Sequence, residues 1–241
     1  ADIYDLQLVN DNCHAMGASY LGDKQYALKY ADVVIQSFHP VKHITTGEGG
    51  AVLTDIPMVN EKVRRLRTHG MIKDPNLLEK NDGPWYYEIY ETGYNYRITD
   101  IQCALGSSQL KKLDSFVDRR REIAKFYDKS FSSFDYIRIP KSNSSVEHSY
   151  HLYPLQIDFI KKDIEKREFF KKMKEFNINL QVHYIPIHLQ PFYKKNYGFK
   201  KGDYLVSENF YQQEVSMPIY PELSDDQISM VVNRLLEIIS S

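Results

Sequence analysis

The chain has 241 residues, 42% hydrophobic and 26% charged, with a formal net charge of -1 at neutral pH. That balance lacks the basic footprint of a nucleic-acid-binding protein, and no apolar run approaches the length of a membrane span. No secretory leader pattern is visible, and the two cysteines, Cys13 and Cys103, have no metal or redox spacing, which fits reduced, buried thiols in a cytoplasmic protein.

In chain order, residues 6–10 read as a short strand ending on Asp11 and followed by Asn12-Cys13-His14-Ala15-Met16-Gly17. Residues 33–36 form a second strand. It feeds Ser37-Phe38-His39-Pro40-Val41-Lys42-His43-Ile44-Thr45-Thr46-Gly47-Glu48-Gly49-Gly50, and a third strand spans residues 50–54. A polar loop between buried strands is well placed to carry a site. In open α/β sheets ligands bind at the carboxyl ends of strands. An acid at one such end and a lysine after a neighbouring strand suit pyridoxal phosphate, the lysine bonding the cofactor and the acid holding its ring nitrogen protonated. Taken alone, Lys42 reads rather as a solvated lysine in a connection, since most lysines are solvated. Residues 45–50 lack the Gly-Lys-Ser/Thr ending of a phosphate loop and read as a turn into the next strand.

Residues 58–69 carry Val59, Val63 and Leu66 at helical spacing, with Arg64, Arg65 and Arg67 on a solvated face. Residues 70–94, with Pro75, Gly83 and Pro84, read as an irregular loop. Thr99-Asp100-Ile101-Gln102 is a capping box opening a helix to about Leu113, and a second helix runs on through Phe116, Arg120 and Ile123 towards Phe131. A domain boundary is expected near residue 113, giving domains 1–113 and 114–241. The second half reads as strand 151–157, helix 163–176 and strand 178–184. A last helix is capped by Ser224-Asp225-Asp226-Gln227, with Ile228, Val231, Val232, Leu235 and Leu236 on the face that packs on a small sheet. His183 and His188 are five apart, so an extended segment turns them to opposite sides, and no third ligand stands nearby; no metal is expected. The 19 tyrosines suit packing, or stacking on a nucleotide or sugar.

Three stretches together, Asp11-Asn12-Cys13-His14-Ala15-Met16-Gly17-Ala18, the run from Ser37 through Lys42 to Gly50, and Gly93-Tyr94-Asn95-Tyr96-Arg97-Ile98-Thr99-Asp100-Ile101-Gln102, resemble the DegT-type sugar-nucleotide aminotransferases. The resemblance runs in order over nearly the whole chain. It implies an α/β chain of the aspartate aminotransferase-like, pyridoxal-phosphate type I fold, with part of the large domain followed by a small C-terminal α/β domain. Gly83-Pro84-Trp85-Tyr86-Tyr87, Ser108-Gln109-Leu110-Lys111-Lys112-Leu113 and His151-Leu152-Tyr153-Pro154 are most similar to the pseudaminic acid branch. Enzymes of that branch aminate C4 of a UDP-linked 4-keto-6-deoxy sugar, and L-glutamate is the family's usual amino donor.

The resemblance also implies roles. Lys42 takes the position of the lysine that bonds the cofactor, Asp11 that of the partner of the pyridine nitrogen, and His14 that of a histidine beside the ring. Ser37 matches a phosphate-binding serine. Asn95 matches an asparagine reaching the phosphate from the neighbouring subunit, which implies a homodimer with shared sites. Arg97 could bind an anion or pin its loop. His183 and Tyr184 fall near the substrate mouth. In the family a further portion carrying a Gly-Ser/Thr phosphate cup and a stacking aromatic precedes the aspartate. Neither stands in this sequence, so the chain is expected to be the C-terminal part of a longer enzyme. Two other readings are a non-catalytic relative and a sugar dehydratase of the same fold. Retention of Lys42, Asp11 and Ser37 argues against the first, and the histidine that replaces the lysine in such dehydratases argues against the second.

Overall fold

The computed structural model describes residues 1–240. The chain divides into two compact units, Ala1–Asp114 with Ser145–Glu147, and Ser115–Ser144 with His148–Ser241. In chain order the elements are β1 (Val9–Asp11), β2 (Ser19–Tyr20), α1 (Tyr26–Tyr30), β3 (Val33–Ser37), β4 (Gly50–Leu53), α2 (Pro57–Leu66), β5 (Met71–Ile72), β6 (Glu88–Ile89) and α3 (Asp100–Leu110). Then come α4 (Leu113–Phe131), β7 (Ile137–Arg138), β8 (Val146–Glu147), β9 (Pro154–Ile157), α5 (Lys166–Glu175), α6 (Pro191–Tyr197), α7 (Leu205–Gln213), β10 (Glu214–Ser216) and α8 (Asp225–Ser240).

The first unit is built on the sheet β1-β3-β4. β1 runs parallel to β3 with Asp11 opposite Ile35, and β4 returns antiparallel with Gly50 opposite Ser37. β1 begins at Val9 rather than at residue 6. The Leu8 N–H is taken by the Asp32 carboxylate at 2.7 Å and the Leu6 N–H by the Ala1 carbonyl at 3.2 Å, so neither N–H reaches β3, and only the Leu8 carbonyl does, accepting from the Val33 N–H at 3.2 Å. The sheet leaves Val9, Ile35, Val52 and Leu53 exposed, and the buried apolar side chains of this unit are few and small, among them Ala18, Ala27, Val34 and Ile44.

Residues 70–94 are more ordered than their composition suggests. β5 and β6 pair antiparallel, and Glu88 gathers the segment between them. Its carboxylate accepts from the Glu79 N–H at 2.8 Å, the Lys80 N–H at 3.2 Å, the Tyr86 hydroxyl at 3.0 Å and the Tyr90 hydroxyl at 2.9 Å. The arginine face of α2 is mostly solvated, with Arg64 and Arg67 exposed; Arg65 is partly buried and, with Lys62, donates to Glu91. Both capping boxes form. The Gln102 N–H donates to the Thr99 hydroxyl at 3.3 Å and the Gln227 N–H to Ser224 at 3.2 Å, while each glutamine oxygen accepts the cap residue's N–H at 3.0 Å.

The second unit holds most of the core. α4, α5 and α8 pack around the antiparallel sheet β10-β9-β7, burying Ile123, Tyr127, Phe131, Tyr153, Leu155, Ile157, Phe169, Met173, Val215 and Leu235 completely. Each such side chain contributes roughly 1.5–3 kcal/mol. α5 starts later than expected because Asp163 adopts a φ of 50°, outside the helical range. Residues 178–184 are not a strand. They meet β10 through one bridge, the Ser216 N–H donating to the Gln181 carbonyl at 2.8 Å and the Gln181 N–H to the Ser216 carbonyl at 3.4 Å. α6, α7 and β10 were not anticipated.

Candidate active site

β1 and β3 end side by side, so Asp11 and the loop after Ser37 leave the same end of a parallel pair. The turn after Asp11 is held by Asn12, whose N–H donates to the Ile35 carbonyl at 3.0 Å and whose side-chain oxygen accepts from the Tyr26 hydroxyl at 3.2 Å. The Cys13 N–H donates to Asp11 Oδ1 at 3.1 Å. Hydrogen bonds from the Cys13 thiol and N–H, with the charges of His14 and Lys42 behind them, hold the Asp11 carboxyl below the usual carboxylate range. Burial and the Asp11 carboxylate push the Cys13 thiol up to about 11, while Lys42 pulls the other way. Asp11, Cys13, His14 and Lys42 therefore share one electrostatic neighbourhood.

The lysine loop is closed at both ends. The Phe38 N–H donates to the Gly49 carbonyl at 2.8 Å, and the Phe38 carbonyl accepts from the Thr46 N–H and the Thr45 hydroxyl, each at 3.0 Å. Within it, the Lys42 N–H donates to the His39 carbonyl at 2.9 Å, and His43, Ile44 and Thr46 are buried. Gln102, besides capping α3, donates its amide to the Glu48 carbonyl at 2.9 Å. A Cβ on Gly106 of α3 would stand 2.8 Å from Thr46 Cγ2, so a glycine is needed where helix and loop touch. These contacts leave Lys42 itself half-buried. Ser37 ends β3, and its hydroxyl accepts the His39 N–H at 3.4 Å, leaving its own proton to donate.

Asn95 stands apart from this group. It is exposed and bridged to Thr68 beyond the end of α2, where the Tyr94 N–H donates to the Leu66 carbonyl at 2.7 Å and the Tyr96 N–H to the Arg67 carbonyl at 2.9 Å. A Cβ on Gly93 would lie 2.2 Å from the Gly70 nitrogen, so that approach needs glycine. Tyr94 and Tyr96 stack at 4.7 Å beside it, and Arg97 is exposed. His183 and Tyr184 belong to the second unit, with the Tyr184 ring edge-on to His183 at 4.5 Å and 62% exposed. Among the described residues no group of three metal-ligating side chains occurs, and no helix is long and apolar enough to cross a membrane.

Sequence reasoning missed Cys13 as a neighbour of Asp11, Gln102 as a brace of the lysine loop, and Glu214 and Ser216 beside His183. Both cysteines are free, but the expectation of buried thiols is wrong: Cys13 is half-buried and Cys103 exposed. Position 103 follows the capping residues in the first turn of α3 and faces water.

A lysine loop and an acid leave the same end of adjacent parallel strands, with a serine at the base of the loop, an arrangement suited to a pyridoxal-phosphate enzyme of fold type I. The chain belongs to the DegT/DnrJ/EryC1/StrS aminotransferase family, whose profile matches residues 1–236. It is 44% identical over 237 residues to protein MJ1066 of Methanocaldococcus jannaschii, covering 98% of this chain and 61% of that one. It is 40% identical over 236 residues to the UDP-4-amino-4,6-dideoxy-N-acetyl-beta-L-altrosamine transaminase of Campylobacter jejuni, covering 98% and 59%. Its structure is similar to that of Helicobacter pylori PseC, an aminotransferase of pseudaminic acid biosynthesis, with a TM-score of 0.87, 30% identity, and coverage of 99% of this chain and 61% of that one. The chain thus spans about three fifths of the length of these relatives. Aminotransferases of this family use pyridoxal 5'-phosphate.

Proposed function

We propose that the protein moves an amino group from an amino acid, L-glutamate, to a nucleotide-linked 4-keto-6-deoxy sugar in the cytoplasm, in the formation of surface glycans such as those containing pseudaminic acid. The observation that carries this reading is that Asp11, which ends β1, and the loop holding Lys42, which leaves β3 after Ser37, emerge at the same end of a parallel pair. Pyridoxal phosphate, when bound, supplies the electron sink that stabilises a carbanion at the amino-bearing carbon.

The chain's own groups have the complementary tasks. The Lys42 amine would hold the cofactor and, when free of it, would move a proton to or from the amino-bearing carbon. Asp11, a carboxylate at neutral pH whose pKa is lowered chiefly by the Cys13 hydrogen bonds, would form a charge-assisted hydrogen bond to the ring nitrogen. His14 would stand beside the ring, and Ser37 would donate its hydroxyl proton to the phosphate. Asn95 would reach the phosphate of a second copy in a homodimer, and His183 and Tyr184 would meet the UDP-linked sugar. Residues 1–113 act as the cofactor-binding domain and residues 114–241 as the small domain.

The test is borohydride reduction in the presence of pyridoxal phosphate, followed by peptide mass mapping. The expected adduct lies on Lys42 and is absent from Lys42→Ala. A reduced adduct on another lysine, with Lys42 unmodified, overturns the assignment.

A further inference from the structure

Every residue of α6 is exposed, so this seven-residue helix has no buried face. Isolated helices shorter than about 12–15 residues are marginal in water, so α6 depends on what holds its two ends. Buried His188 stands before it and buried Glu208 after it, with Nε2 and Oε1 2.9 Å apart. The Gly202 N–H donates to the same oxygen at 2.8 Å, and the Lys200 N–H donates to Asp203 Oδ2 at 2.8 Å. Residues 191–207 are thus pinned at their base and, apart from half-buried Phe199, exposed throughout.

The segment turns apolar groups to water. Five rings form a continuous ladder along it. Phe192 and Tyr193 lie 6.4 and 5.8 Å from Tyr197, Phe199 follows Tyr197 at 6.2 Å, and Tyr204 follows Phe199 at 5.8 Å. Phe192 is 62% exposed and Tyr197 64%. Ile187 on one side in the chain, and Leu205 and Val206 on the other, add exposed aliphatic surface, Val206 at 86%. The same stretch holds exposed Lys194, Lys195, Lys200 and Lys201 against one acid, Asp203, so it is positive on a chain whose net charge is -1. Among the described residues none of these lysines makes an ion pair. At about 100° per residue, Phe192, Tyr193 and Tyr197 span an arc of about 140° on α6, and Lys194 and Lys195 lie about 60° beyond its two edges.

Apolar rings bordered by lysines match the layering of a bilayer surface, hydrocarbon beneath charged headgroups. Tyrosine, with an apolar body and a polar tip, suits that boundary. Other occupants match less well. The rings stack on one another, Tyr193 on Tyr197 at 25° and Tyr197 on Phe199 at 27°, so their faces are not open platforms for bases. Two copies meeting through this patch would set their lysines against each other. We propose that residues 187–206 dock on an anionic phospholipid bilayer, with the rings at headgroup depth and the lysines against the lipid phosphates. This docking does not depend on which reaction the protein catalyses.

The test is flotation of the 241-residue chain with vesicles of phosphatidylcholine and phosphatidylglycerol in equal parts, set against phosphatidylcholine alone. Binding is expected only to the anionic vesicles and should weaken as salt is raised. Lys194→Gln with Lys195→Gln should weaken it roughly fivefold per charge removed. Phe192→Ser with Tyr197→Ser should weaken it roughly tenfold or more. These side chains are exposed, so the variants should fold, which circular dichroism checks. Depth is read with Phe192→Trp in a chain whose single tryptophan, Trp85, is changed to phenylalanine; its emission should shift to the blue on the anionic vesicles. No flotation with the anionic vesicles, equal flotation with phosphatidylcholine alone, full binding by the Phe192 and Tyr197 variant, or unshifted emission overturns the proposal. So does tighter binding to single-stranded DNA than to the vesicles at the same salt, or a chain that does not float but forms a dimer that these substitutions abolish.

Discussion

Cys13 reports on the candidate site without any cofactor. Its thiol is pushed to about 11 from an ordinary 9.0 by burial, then by the hydrogen bond and charge of Asp11, with Lys42 opposing. At pH 8, below both values, two pH units mean about a hundredfold less thiolate. A more basic thiolate is also more nucleophilic, with a Brønsted coefficient of about 0.4–0.5, which returns about six- to tenfold. Alkylation of Cys13 by iodoacetamide should therefore run about tenfold slower than that of an unperturbed thiol. Asp11→Asn removes the charge and weakens the hydrogen bond but leaves the burial, so Cys13 should speed up roughly two- to fivefold. Lys42→Ala removes the opposing charge, so Cys13 should slow. The assay is the ratio of modified peptides containing Cys13 and exposed Cys103 over a time course at pH 8. Opposite signs in the two variants are the mark of one shared neighbourhood. Cys13 rates that move the same way in both, or in neither, would refute the placement of Lys42 beside Asp11.

Arg120 is buried in α4 and donates from Nη1 to the carbonyls of Ile219 at 2.8 Å, Tyr150 at 3.1 Å and His151 at 3.4 Å. Arg120→Met fills the volume but strands these acceptors, so stability should fall by about 3–5 kcal/mol in urea denaturation followed by circular dichroism, and a loss under about 1 kcal/mol contradicts the account. The buried Glu208 carboxyl is held below its ordinary 4.5 by His188 at 2.9 Å and the Gly202 N–H at 2.8 Å. A depressed carboxyl pKa stabilises the fold fully above the unfolded value and loses that contribution as pH falls through the folded value. Unfolding midpoints measured from pH 6 to 3 should thus drop less steeply below 4.5 for Glu208→Gln than for the parent, and parallel profiles would rule this out. If Asn95 serves a neighbouring subunit, inactive Lys42→Ala and Asn95→Ala enzymes mixed under subunit exchange should recover up to roughly a quarter of parental activity, because half the dimers are mixed and each has one intact site. No recovery, with exchange verified by mass, would confine Asn95 to its own subunit.

What was legible in the sequence was mostly local. The two capping boxes depend on contacts three residues apart, and both stand as read. The apolar spacing of α8 named its buried face, with Ile228, Val231, Val232 and Leu235 inside, because helical periodicity is an intrinsic property of the segment. The motifs around Asp11 and Lys42 carried the family resemblance, and the family profile matches residues 1–236. Tertiary structure decided the rest. Whether residues 6–8 join a ladder depended on Asp32, 24 positions beyond Leu8, taking the Leu8 N–H. Whether residues 70–94 were irregular depended on Glu88 collecting four donors from a folded-back segment. Residues 178–184 alternate like a strand yet form one bridge, because only Gln181 meets β10. His183 read only beside His188 and Tyr184, since its partners Glu214 and Ser216 lie 31 and 33 positions away. A strand places alternate side chains on one face by its own geometry. Which residue stands opposite that face is set only when distant segments pack.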